Sequence, residues 1–249
     1  MVEISGSKMT ANTVIEVNNL NVGYDDVNIL HDVSFKVFEG EFVSLIGKSG
    51  CGKSTLLLAL AGFINSQGIC QIPSELGMIF QNYAVYPWMT VRENIAFGLG
   101  HLPEGERKQV ESHYLELVGL VEHGEKYPTQ LSGGQMQRVA FARAFAPNPQ
   151  VIFMDEPFGA LDIFTRDKMQ DWLNSIWEKE HKTVIFVTHN IEEAIYLSDR
   201  IFIVGNGSII GEFRPPFGRP RIDEMKYSSH FMDLKRNVAE QLESSQLRS

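Results

Sequence analysis

Phe42-Val43-Ser44-Leu45-Ile46 runs directly into Gly47-Lys48-Ser49-Gly50-Cys51-Gly52-Lys53-Ser54-Thr55, and the chain turns apolar again over residues 56–61. A short apolar run ending at a turn signal reads as a strand covered on both faces, and the segment after the glycines reads as a helix. Strand, glycine-rich loop and helix in that order constrain the fold more than any other feature, because G-x-x-x-x-G-K-[ST] in this context is a phosphate-binding loop. The chemistry needs each residue type. Glycines let backbone N–H groups close around an anion, the helix N-terminus adds positive potential, Lys53 reaches the β and γ phosphates, and Ser54 can ligate Mg2+. An ordinary glycine-rich turn is the duller alternative, and the flanking strand and helix count against it.

With 249 residues, 43% of them hydrophobic, the chain can bury a sizeable core as one large α/β domain or one domain with an inserted subdomain. Its longest apolar run, residues 56–64, is well short of the roughly 20 residues that a membrane-spanning helix needs. Any membrane association is therefore expected through a protein partner. Residues 1–12 are polar, lack the pattern of a secretory signal, and read as a flexible tail. Two cysteines, Cys51 and Cys70, suggest neither a disulfide framework nor a metal cluster with the seven histidines, and this usage suits a reducing cytosol. A formal charge of -9 argues against an extensive nucleic-acid footprint, so no nucleic-acid partner is expected.

Residues 15–37 alternate, with Val33, Phe35 and Val37 on one face, and read as antiparallel sheet. From about 82 to 147 helical spacing takes over, for example at Val110, Tyr114, Leu117 and Val118, which reads as an inserted helical subdomain. Buried strands return at Val151-Ile152-Phe153-Met154 and Val184-Ile185-Phe186-Val187, each ending in polar residues, as parallel strands do where they present a site. One domain over 13–222 follows, then an extension over 223–249 with a short amphipathic helix; the Pro-rich stretch before it reads as irregular chain.

Asp155 and Glu156 follow the first of these returning strands, where a sheet edge meets phosphates. Asp155 can hold Mg2+ through water, and Glu156 can orient and deprotonate an attacking water. A helix-capping acidic pair is the alternative. Leu131-Ser132-Gly133-Gly134-Gln135 is a second anion site: Ser132 can donate to phosphate, two glycines allow close backbone approach, and the helix through Arg138, Val139 and Ala142 aims its N-terminus at the loop. The plainer alternative is a loop in which Ser132 caps that helix. Cys51 reads as a small filler, since no general base is evident near it.

These motifs, in this order and over residues 15–211, resemble the ATP-binding subunit of an ABC transporter. The resemblance implies an α/β fold: a P-loop NTPase core with an antiparallel β subdomain and an inserted helical subdomain. It implies that Tyr24 stacks on adenine, that Gln81 links Mg2+ and the attacking water to the transporter, that Gly159-Ala160-Leu161-Asp162 crosses a dimer seam, and that His189 contacts the γ phosphate. Taken singly, Tyr24 reads equally as a strand residue, Gln81 as a strand terminus and His189 as a helix cap. The family further implies ATP and Mg2+ as cofactors, and a second copy or a paralogous subunit completing each ATP site through Ser132, Gly133, Gly134 and Gln135. Permease subunits are expected to dock near Tyr83-Ala84-Val85-Tyr86-Pro87-Trp88-Met89, with a solute-binding protein engaged indirectly, at the cytoplasmic face of the membrane. Pro87-Trp88-Met89-Thr90-Val91-Arg92-Glu93-Asn94-Ile95, with Arg219-Pro220-Arg221, is most similar to the nitrate, sulfonate and taurine importers. Residues 62–77 are shorter than usual for the family. A non-transport ABC ATPase, acting in DNA repair, translation or cluster assembly, is the alternative; a regulatory module without turnover is disfavoured by Glu156 and His189 together.

Overall fold

The computed structural model describes residues 12–24 and 27–244; the expected tail over 1–12 thus lies outside the described residues except for Asn12, as do 245–249. β1 (Thr13–Tyr24) and β2 (Val27–Phe38) form an antiparallel pair, as the alternation predicts, with Leu30, Val33, Phe35 and Val37 of β2 buried. β3 (Phe42–Ile46) is buried at every position and delivers the chain into the glycine loop and α1 (Lys53–Leu60). β4 (Gln67–Gln71), within the short 62–77 stretch, pairs antiparallel with β1 and closes the three-stranded sheet at its edge.

β5 (Leu76–Ile79) opens the second sheet. Helices then follow: α2 (Val91–Ala96), α3 (Glu104–Leu117) and α4 (Gly133–Phe145). Next come β6 (Val151–Asp155), α5 (Ile163–Glu180), β7 (Thr183–Thr188), α6 (Ile191–Leu197), β8 (Arg200–Gly205), β9 (Ser208–Phe213) and α7 (Ser229–Ser244). The sheet order is β5-β6-β7-β3-β8-β9, parallel except for β9. Successive apolar residues in β6, β7 and β8 feed opposite cores, because strand side chains alternate. Val151 and Phe153 pack with β1, β2 and α1, whereas Ile152 and Met154 pack with α4, α5 and α6. Burying each such side chain stabilises the fold by about 1.5–3 kcal/mol.

The Pro-rich stretch is irregular, as expected, yet two arginines fasten it. Arg219 lies 4.2 Å from the centre of the Trp177 ring and donates to Asn174 Oδ1 at 2.8 Å and to the Leu197 carbonyl at 2.6 Å. Arg221 donates to the Ser198 carbonyl at 2.8 Å. Both therefore satisfy carbonyls that the C-terminus of α6 leaves without helical partners. Burial, then repulsion from Arg219, brings the Arg221 guanidinium down to about 10, so it stays charged at neutral pH. α7 buries Phe231 and Val238, pairs Lys235 with Glu192 of α6, and donates from Gln241 to the Ile210 carbonyl of β9 at 2.8 Å. Among the described residues, no helix is long and apolar enough to cross a membrane.

Candidate nucleotide site

The loop between β3 and α1 is glycine-rich because its backbone requires it. A Cβ on Gly47 would lie 2.3 Å from the Val204 carbonyl oxygen, and Gly52 sits at φ +103 with Leu30 Cδ2 only 2.6 Å from where its Cβ would be. Lys53, the first residue of α1 and 5% exposed, folds back over the loop and donates to the carbonyls of Gly47 at 2.8 Å and Lys48 at 2.9 Å. Thr55 is half-buried in the same helical turn. The outer flank of the loop, from Lys48 through Ser49 and Gly50 to Cys51, lines a recess of ≈ 470 Å³ shared with Asn28, Ile29 and residues 204–207.

Both carboxylates arrive at the end of β6, one strand beyond β7 from the loop-bearing β3. Ser54 Oγ donates to Asp155 Oδ1 at 3.0 Å, which joins the loop to the end of β6. Burial pushes the Asp155 carboxyl up and the nearby Glu156 charge adds to this, while the Ser54 hydrogen bond and Lys53 act against it. Glu156 follows at φ +43, a left-handed conformation rare for a residue with a side chain, and its N–H donates to the Val187 carbonyl of β7 at 2.9 Å. That turn aims its carboxylate at His189, just beyond β7, where Oε2 and Nδ1 are 3.1 Å apart. An ionised Glu156 only accepts, so Nδ1 carries the proton; the ring donates from Nε2 as well only when it is an imidazolium.

Gln81 lies just past β5, and a Cβ built on Gly159 would come 3.2 Å from its Nε2. Gly159 itself donates to the Glu156 carbonyl at 3.0 Å, so Gln81 reaches the turn that leaves the carboxylates. Asp162 ends this turn and caps α5, accepting from the Thr165 N–H at 3.0 Å; those Thr165 hydrogen bonds hold its carboxyl below the usual range. Ser132 and Gln135 form a capping box on α4, with Ser132 Oγ accepting from the Gln135 N–H at 3.3 Å and the Ser132 N–H donating to Gln135 Oε1 at 2.9 Å. Gly133 and Gly134 start α4 close to Tyr83 and to Thr165 of α5. The structure thus gathers Lys53, Ser54, Asp155, Glu156 and His189 in one place, whereas the side chains of Ser132 and Gln135 close on each other. The side chain of Tyr24, with the adenine contact expected of it, lies outside the described residues.

No group of three or more His, Cys, Asp and Glu that could hold a metal occurs among the described residues. Ser54 and Asp155 as a touching hydroxyl and carboxylate nevertheless fit Mg2+, which takes few protein ligands and completes its shell with water and phosphate oxygens. The loop fits phosphate equally well: it is glycine where a side chain would obstruct and holds an ammonium in its mouth. Cys51 is half-buried, with Sγ 3.8 Å from Lys53 Nζ. Alkylating it places a bulky group beside that ammonium, and nucleotide affinity is expected to fall by at least tenfold in a filter-binding or fluorescence titration. Undiminished affinity after complete modification would sink this expectation.

A residue that the sequence offers only as part of the importer-like stretch 87–95 organises a second surface. Asn94, fully buried on α2, donates from Nδ2 to the carbonyls of Tyr86 at 3.1 Å, Met89 at 3.0 Å and Thr90 at 2.9 Å, and accepts the Tyr86 N–H at 2.8 Å. The only local signal is the capping pattern Thr90-x-x-Glu93 that starts α2. The clasp holds out Trp88, which is 69% exposed, with its ring 5.3 Å from Tyr86; Tyr86 in turn lies 4.6 Å from Phe97 and has the Arg143 guanidinium 5.0 Å from its ring.

Comparison with known proteins agrees with this arrangement. The family profile described as ABC transporter matches residues 30–159. The chain is 45% identical over 208 residues to the nitrate import ATP-binding protein of Synechococcus elongatus, covering 77% of this chain and 76% of that protein. It is 42% identical over 229 residues to the taurine import ATP-binding protein of Roseobacter denitrificans, covering 85% of each. Among solved structures it is similar to the ATP-binding cassette MJ0796, seen as a dimer bound to ADP and Pi, with a TM-score of 0.70 and 30% identity over 82% of this chain and 100% of that one. The cbiO1 protein from Clostridium perfringens, at 24% identity and a TM-score of 0.77, shares the fold over 91% of this chain and 95% of that one.

Proposed function

The chain belongs to the ABC transporter family, and from that premise we propose that it is the ATP-hydrolysing subunit of an importer for a small solute of the nitrate, sulfonate or taurine kind. The observation that carries the proposal is the pair of contacts at the ends of β6 and β7: Ser54 to Asp155 at 3.0 Å and Glu156 to His189 at 3.1 Å, beside the Lys53 loop. ATP seats its phosphates on residues 47–55, and Lys53 exchanges its two loop carbonyls for phosphate oxygens. Mg2+, held through Ser54, Asp155 and Gln81, supplies charge neutralisation when bound. Glu156 takes the proton of the attacking water, and His189 donates from Nε2 to the γ phosphate once its ring is charged or released from Glu156. Tyr24 stacks on adenine.

Ser132, Gly133, Gly134 and Gln135 of a second copy, or of a paralogous subunit, close over this ATP, and Asp162 lies at the seam. The ATPase domain spans 13–222 with its helical subdomain inserted at about 82–147, and 223–249 form an extension. The subunit sits at the cytoplasmic face of the membrane through permease subunits, with a solute-binding protein engaged indirectly. What supports the docking site near residues 83–89 is exposed Trp88, packed on half-buried Tyr86 in a loop that Asn94 rigidifies, with exposed Phe97 against Tyr86 just beyond α2, since a pre-ordered aromatic makes a favourable interface anchor. The relatives, which are import subunits, give no support to a non-transport role.

The test is Trp88→Ala in the complex with the permease that copurifies with the chain. Losing an anchor of this kind costs about 2 kcal/mol or more. Solute-stimulated hydrolysis and transport are expected to fall at least tenfold, while the isolated subunit keeps its ATP affinity. A variant complex with normal coupling refutes the docking assignment, and a copurifying partner without membrane spans refutes the transporter role.

A further inference from the structure

The residues on both sides of His189 are held by buried Glu193, Thr188 through its carboxylate and Asn190 through its backbone N–H. Thr188 Oγ1, one residue before it, donates to Glu193 Oε2 at 2.6 Å and accepts the Asn190 N–H at 3.0 Å. Asn190, one residue after it, caps the Glu193 N–H at 3.3 Å. Glu193 is 5% exposed, and its second oxygen accepts from Gln170 Nε2 at 3.4 Å and faces Arg166 Nε at 3.8 Å. Arg166 in turn donates from Nη2 to the Leu161 carbonyl at 3.0 Å, inside the 159–162 turn. The separation of 3.8 Å is too long for a hydrogen bond, and Arg166 Nε is buried with no hydrogen-bond partner. An unsatisfied buried donor is costly, so any small shift of the turn that seats Arg166 on Glu193 is favoured.

We infer that Arg166 and Glu193 are positioning residues that tie the 159–162 turn to His189, so that a partner subunit pressing on that turn places the histidine for catalysis. Neither residue touches the phosphate loop. The link runs from the Leu161 carbonyl through the Arg166 guanidinium and the Glu193 carboxylate to Thr188, the residue before His189. This inference rests on the proposed function, with His189 acting at the γ phosphate and the 159–162 turn lying at the subunit seam.

The experiment uses the purified full chain, with steady-state ATP hydrolysis and ATP affinity measured for wild type, His189→Ala, Glu193→Gln, Arg166→Gln and the Glu193→Gln/Arg166→Gln double variant. Misplacing a catalytic group by a fraction of an ångström costs about tenfold in rate. Each single variant is expected to lose about that factor in kcat with KM and ATP affinity within about twofold of wild type. The double variant is expected to be no slower than the slower single, because both act through one link. A merely structural role would instead move KM with kcat. Either single variant hydrolysing within about twofold of wild type, or a double loss equal to the product of the single losses, overturns the inference. If Glu193→Gln loses its cooperative melting transition, Arg166→Gln alone decides by the same criterion. Wild-type turnover by His189→Ala overturns the role of His189 itself; loss there with full turnover in Glu193→Gln overturns only the link.

Discussion

Glu156→Gln is expected to lower ATP hydrolysis by about 10²- to 10⁴-fold, the range associated with a positioned general base, while leaving ATP bound between two closed subunits. The amide keeps the size of the carboxylate and can still accept from His189 Nδ1, so the contact now at 3.1 Å survives in shape. What disappears is the ability to take a proton. The left-handed backbone at φ +43 is unaffected by this change, as is the N–H bond to the Val187 carbonyl at 2.9 Å. Hydrolysis measured beside size-exclusion chromatography in ATP separates the outcomes: a slow variant that elutes as an ATP-dependent dimer agrees, and a variant as fast as wild type removes Glu156 from the role of base.

Ser132→Arg is expected to retain nucleotide binding by the single subunit and to abolish hydrolysis, with a loss of at least about 10²-fold, the scale of removing preorganised donors from a transition state. The capping box explains why one residue can serve both as a cap and as a phosphate ligand. A hydroxyl has one donor and two acceptor lone pairs, and the Gln135 N–H at 3.3 Å uses only an acceptor, so the O–H remains to donate to phosphate. Arginine loses the cap, at about 1 kcal/mol, and puts a long cation where a second subunit must close. Equilibrium binding of ATP and a dimerisation assay read the two effects apart. Loss of ATP affinity in the lone subunit would show that the segment belongs to its own nucleotide site, and unimpaired hydrolysis would show that it belongs to none.

The parts of the site legible in the sequence are those whose chemistry is local. The glycine loop, Lys53 and Ser54 occupy one short stretch, Asp155 ends a buried strand, and Glu156 and His189 come just beyond one. That these strands are parallel and buried also shows in their apolar runs, which must be covered on both faces; their order in the sheet does not. Less local features were not legible. Arg166 and Glu193 are far apart in sequence and meet only because α5 and α6 pack side by side. Arg219 and Arg221 look like charges in an irregular segment until the end of α6 supplies carbonyls for them. Asn94 reads as one polar residue on a short helix, since its four partners come from backbone, which no side-chain pattern reports. Ser132 showed two readings in the sequence, and the capping geometry makes them compatible instead of exclusive.

The inward fold of Lys53 keeps the loop's charge in place before any ligand arrives. Its ammonium has two carbonyl acceptors, at 2.8 and 2.9 Å, and a third N–H left for an arriving anion. Orthophosphate or sulfate can take that N–H but lacks the reach of a triphosphate along the loop. A nucleotide presents two phosphates along the loop at once and can recover every contact that it displaces. The lysine thus waits with its stem folded over the loop and its charge already desolvated on one side, so that little of it has to be reordered when a phosphate chain replaces the two carbonyls.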